Sequence, residues 1–150
     1  MDANATTILI ADANADTRAA LMWILLSEGF WVEPVSNGLD AAAALETEPP
    51  AVAIIDLYLP GFNGRTLIER MSGSERLRDV PIIAMASEAP WSPLPEGVVF
   101  LKKPCAAAQV LAAIDELLGD GIRRFFSGER PFKHPTSREP AFRAGAFRGR

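Results

Sequence analysis

The sequence predicts an α/β fold built on a parallel sheet, and three observations carry that prediction. Five short apolar segments rich in β-branched residues recur at residues 7–11, 31–35, 52–56, 81–85 and 98–101. Stretches of helical periodicity lie between most of them, an alternation that makes successive strands parallel. Three of the segments also close on a charged residue: Ile8-Leu9-Ile10-Ala11 on Asp12, Ile54-Ile55 on Asp56, and Val98-Val99-Phe100-Leu101 on Lys102-Lys103-Pro104.

The helices follow from spacing and stop signals. The first is expected over residues 16–28, with Leu21, Ile24 and Leu25 at i, i+3, i+4 spacing, and stops at Gly29, whose missing side chain permits a left-handed closing residue. A second, over 39–47, follows the Asn37-Gly38 turn and ends before Pro49-Pro50, and a third, over 65–72, stops near Gly73. The last, over 106–118, puts Val110, Leu111, Ile114, Leu117 and Leu118 on one side before Gly119. The connection over 87–97 is different, because Pro90, Pro93 and Pro95 each remove an amide donor and obstruct the preceding turn. The helix due there is expected to be missing or rudimentary, with a proline-rich strap whose Trp91 covers the sheet instead. Trp23 and Trp31 are assigned to the core or its rim.

Composition limits the rest. A chain of 150 residues with 49% hydrophobic content suits one compact domain with an appendage. Its single cysteine, Cys105, excludes an internal disulfide and is read as a small packed residue. Neither a signal core nor an apolar run of membrane-spanning length is present, so a cytoplasmic setting without membrane contact is expected. Residues 1–119 hold seven Lys/Arg against sixteen Asp/Glu, net −9, whereas residues 120–150 hold eight against three, net +5. The division places a domain at 1–119 and a basic, Phe-containing, mostly disordered tail at 120–150. That tail holds His134 without partners and ends in Ala141-Phe142-Arg143-Ala144-Gly145-Ala146-Phe147-Arg148-Gly149-Arg150, an imperfect repeat mixing cation and aromatic.

The strand-end residues, with Pro60 and Gly64 after Asp56, give residues 6–119 a pattern that resembles the receiver domain of two-component response regulators. The resemblance implies a flavodoxin-like five-stranded parallel sheet of order 2-1-3-4-5. It also implies Asp56 as phospho-acceptor, Lys103 as the lysine that contacts the phosphoryl group, and Mg²⁺ held by Asp12, Asp56 and the backbone carbonyl of Tyr58. A carboxylate accepts a phosphoryl group only where charge on the equatorial oxygens is neutralised, and a hard cation and a lysine supply that.

Two positions depart from the family pattern. Ala13 stands where the second member of the acidic pair ligates the metal. Losing one charge-assisted interaction costs about 1.5–3 kcal/mol, so weaker Mg²⁺ binding is expected. Ala86 stands where a Thr or Ser hydroxyl follows the phosphoryl group, Ser87 comes one place late, and Phe100 takes the aromatic switch position. The implied function is a single-domain receiver in phosphorelay signalling, taking its phosphoryl group from a histidine kinase or phosphotransfer protein and acting on a downstream protein by contact. Nucleic acid is expected to matter only through the basic tail. The competing reading is a degenerate receiver that binds proteins without phosphorylation. A true enzyme is disfavoured, because Tyr58 stands two residues after Asp56 and no general acid stands there.

Overall fold

The computed structural model describes residues 6–119. Five strands, β1 (Thr7–Ala11), β2 (Trp31–Val35), β3 (Val52–Asp56), β4 (Ile82–Ala86) and β5 (Val99–Lys102), form one sheet of order β2-β1-β3-β4-β5. Every pairing is parallel. Four helices complete the described residues: α1 (Ala15–Ser27), α2 (Gly38–Thr47), α3 (Gly64–Ser72) and α4 (Ala107–Leu118). This is the flavodoxin-like fold that the resemblance implied. The tail, with His134, lies outside the described residues.

Strand alternation divides the core into two layers. Ile8, Ile10, Val52, Ile54, Ile83 and Met85 face α1 and α4, meeting Leu21, Leu25, Val110 and Ile114. Leu9, Ile55, Ile82 and Ala84 face α2 and α3, meeting Ala41, Leu45, Leu67, Ile68 and Met71. Both faces of the central strands are therefore covered, which explains why they read as continuous apolar runs. Pro34 sits in β2, where an edge position tolerates its missing N–H.

Three helices start on an asparagine that folds back on the first turn. Asn14 accepts from Thr17 N, Asn37 from Asp40 N, and Asn63 from Arg65 N and Thr66 N. Each cap satisfies amides that the helix leaves unpaired. Gly29 takes φ of 99°, as its place after α1 requires. At the opposite end of α2, Arg76 donates to the carbonyls of Leu45 and Glu46, both at 3.0 Å, and so closes the helix with a cation.

Between β4 and β5 there is no helix among the described residues, as the prolines predicted. The cover is not Trp91, which is 88% exposed. Leu94, Val98 and Phe100 pack instead against the layer formed with α2 and α3. The strap is held from α3, where Arg65 donates Nη2 to Ser92 O at 2.7 Å and Nη1 to Pro93 O at 3.2 Å. Trp23 is also displaced from its expected place, being 76% exposed on α1. Trp31 is half-buried on the edge strand, and Ile24 is half-buried beside buried Leu21 and Leu25. Helical spacing alone does not show how far round its axis the sheet covers α1.

Gly64 opens α3 directly against the end of β3. A Cβ there would run into the carbonyl oxygen of Asp56 and lie 2.9 Å from Leu57 Cα. At Gly73 the nearest atom to an added Cβ is 3.7 Å away. Gly64→Ala is expected to lose about 1–3 kcal/mol by overpacking, while Gly73→Ala stays within about 0.5 kcal/mol of the parent. Urea denaturation of the two variants side by side checks the contrast.

Candidate functional site

The carboxyl ends of β1, β3 and β5 bring three charged groups together. Asp12 follows β1 and is the buried charged residue of the described core, Asp56 ends β3, and Lys103 follows β5. Backbone pairing sets the lysine, since Lys103 N donates to Ala86 O at 2.8 Å beyond the formal end of β5. The Lys103–Pro104 peptide that follows is cis. Lys103 Nζ then donates to Asp12 Oδ2 at 2.7 Å and Asp56 Oδ2 at 3.0 Å. The side chains of Lys103, Asp12 and Asp56 are only 19%, 4% and 12% exposed, so these ion pairs are little screened.

Each carboxylate spends its other oxygen on local backbone. Asp12 Oδ1 accepts from Asn14 N and Asp56 Oδ1 from Tyr58 N, both at 2.9 Å. The first bond fixes the turn into α1, and the second fixes the loop after β3. Burial works against the charged ammonium of Lys103, but the hydrogen bonds and charges of Asp12 and Asp56 outweigh it and hold its pKa above the ordinary 10.5. At Cys105, burial raises the thiol pKa and Lys103 partly offsets the rise. The thiol packs against the layer formed with α1 and α4, as a small apolar residue would.

The other predicted positions are also placed. Tyr58 projects its ring, 62% exposed, from the loop after Asp56. Ala13 lies exposed at the mouth, Ala86 is buried at the end of β4, and Ser87 is exposed just beyond it. The half-buried Phe100 pairs in register with Ala84 on the α2/α3 side. Sequence reasoning missed Arg18, whose Nη1 donates to the carbonyls of Asp12 at 2.8 Å and Ala13 at 3.3 Å. A cation six residues past Asp12 carries no signal of that contact in its spacing.

The donor set is all oxygen: two carboxylates and, after Asp56, the carbonyls of a tight loop. That set fits a hard, largely hydrated divalent ion such as Mg²⁺, which commonly takes only one or two carboxylates and keeps several waters. Among the described residues no group of three or more His, Cys, Asp or Glu is assembled, so no denser metal centre competes. Nor is any described helix long and apolar enough to cross a membrane.

These features define a doubly wound α/β domain whose site is a carboxylate–lysine cluster at the carboxyl edge of the sheet. More particularly, residues 8–115 match the response regulator receiver domain, and the chain belongs to that family. Receiver domains of this family are signalling modules of two-component systems. The transcriptional regulatory protein GltR of Pseudomonas aeruginosa is 32% identical over 123 residues, covering 79% of this chain and 51% of that protein. The rice two-component response regulator ORR5 is 34% identical over 82 residues, 54% of this chain and 61% of that protein. The chain thus spans about half to three-fifths of the length of these relatives. A CheY-like receiver domain protein from Methanospirillum hungatei superposes with a TM-score of 0.72 at 25% identity, covering 81% of this chain and 98% of that one. The receiver domain of a sensor histidine kinase from Pseudomonas aeruginosa, solved with magnesium in its active-site cleft, shares the fold at a TM-score of 0.69 and 23% identity over 77% of this chain and 98% of that one.

Lys103→Met is expected to lower stability at neutral pH by about 1–3 kcal/mol, since it leaves two carboxylates facing one another without their cation. Because the folded pKa of Lys103 lies above the unfolded value, the parent's advantage is complete below the ordinary 10.5 and declines as pH rises through the raised value. Denaturation of both proteins from pH 7 to 11 reads that decline directly.

Proposed function

We propose that this chain is a phospho-accepting receiver whose acceptor is Asp56. The observation that supports this most is the convergence of Asp56 with Asp12 and Lys103, from three separate strands, on one ammonium. Asp56 Oδ2 attacks phosphorus in line as the bond to a donor histidine nitrogen breaks. The electron pair leaves with the imidazole, which takes up a proton from solvent. Lys103 is placed to move its hydrogen bond from the carboxylate to a phosphoryl oxygen, so positive charge stays where negative charge accumulates. Mg²⁺, held by the carboxylates of Asp12 and Asp56 and the carbonyl of Tyr58, would supply the remaining neutralisation. With Ala13 contributing no oxygen, that ion is held weakly.

The donor is a histidine kinase or phosphotransfer protein, and the signal leaves by protein–protein contact. Residues 1–119 act as the receiver and residues 120–150 as a basic appendage. A second reading has a specific observation behind it. Ala13 removes one metal ligand and Ala86 removes the hydroxyl that would report the phosphoryl group to Phe100, so the chain also suits a receiver used as a binding module without phosphorylation.

Brief incubation with a small phosphodonor and Mg²⁺, followed by intact mass, separates the two. The phospho-receiver reading requires an adduct that disappears in Asp56→Asn and rises about tenfold at limiting Mg²⁺ in Ala13→Asp, as one added charge-assisted ligand predicts. An unmodified parent beside a modified Ala13→Asp would overturn it in favour of the binding module.

A further inference from the structure

The strap between β4 and β5 is held in place at several points. Pro90, Pro93 and Pro95 restrict its backbone, Arg65 bonds two of its carbonyls, and Leu94 anchors it to the core. Trp91 stands out from this support with the Arg65 guanidinium 5.9 Å from its ring centroid. A tryptophan on a stiffened segment loses little conformational entropy on contact, which suits it as an anchor.

The surroundings select the chemistry of the occupant. Glu88 and Glu96 are exposed in the same strap, and Glu69 lies 3.6 Å from Arg65 with its side chain 54% exposed. An indole face with carboxylates nearby favours a guanidinium, and aromatic neighbours would cover the rest of the ring. The chain itself carries such a segment. Phe142, Arg143, Phe147, Arg148 and Arg150 fall within residues 141–150, and the net charge of −9 over residues 1–119 opposes +5 over residues 120–150.

We infer that residues 141–150 of this chain dock on its own strap around Trp91, with arginines meeting Glu88 and Glu96 and phenylalanines covering the indole. About twenty residues separate this segment from the end of α4, a reach of up to about 70 Å when extended. That exceeds the dimensions of a domain with a radius of gyration of about 13 Å. Tethering of this kind supplies an effective concentration of about a millimolar, so individually weak contacts suffice. A docked segment excludes any other protein from the strap, which makes the contact autoinhibitory. The inference needs no phosphorylation and stands or falls apart from Asp56.

The test uses the full chain with Trp23→Phe and Trp31→Phe, leaving Trp91 as the sole tryptophan of the three. Acrylamide quenching at about 20 mM salt is expected to be about threefold weaker than at about 0.5 M, where screening releases the segment. Combined Arg143→Glu, Arg148→Glu and Arg150→Glu should give full quenching at both salts. In the unaltered chain, the Trp91 indole N–H resonance, assigned by its loss in Trp91→Phe, should shift with salt and rest at its high-salt position in the charge-reversed variant. Unprotected Trp91 at low salt, or protection that survives charge reversal, overturns the inference. Protection that grows with protein concentration also overturns it, by assigning the contact to a second copy.

Discussion

One ammonium shared by two carboxylates organises this molecule. Lys103 is the only cation bonded to both Asp12 and Asp56 among the described contacts, and the three residues come from strands separated widely in sequence. Gathering two acids at adjoining strand ends is unfavourable without such a partner, because each is nearly removed from water. The ion cluster therefore fixes more than a site. It ties β5, the outer strand, to the centre of the sheet and requires β1, β3 and β5 to end at one level.

The remaining framework serves that arrangement. Asn14 and Asn63 cap the helices that follow the two acid-bearing strands, and each carboxylate takes a backbone amide from the residue two places on, Asn14 N for Asp12 and Tyr58 N for Asp56. Arg18 adds a second basic group on the carbonyl side of Asp12. It acts on backbone rather than on the carboxylate, which leaves the acid oxygens facing Lys103.

The strands and helices were legible in the sequence because their signals are local. A β-branched run closing on a charge gives Asp12 and Asp56 their places, and glycine or proline ends each helix within a residue of the observed boundary. The missing helix was legible for the same reason, since three prolines within six residues of one another leave a helix no room. The roles of Trp91 and Arg65 were not. Arg65 bonds carbonyls 27 and 28 residues away, and no periodicity records which of Leu94 and Trp91 turns inward on an irregular strap. The candidate site was legible as residue types at strand ends, whereas the sharing of a single lysine by both acids is a property of the folded sheet.

Gly64 gives the end of β3 an unusual mechanical neighbour. Its Cα rests against the peptide of Asp56 with no side chain between, and the next residue, Arg65, grips the strap through two carbonyls. The strand end, the first turn of α3 and the β4–β5 crossing consequently form a single load path with little slack. A displacement imposed on the peptide at Asp56 has to be absorbed by the helix or handed on to the strap, and the stiffness of this train rests on a glycine chosen for its lack of bulk and an arginine chosen for its reach.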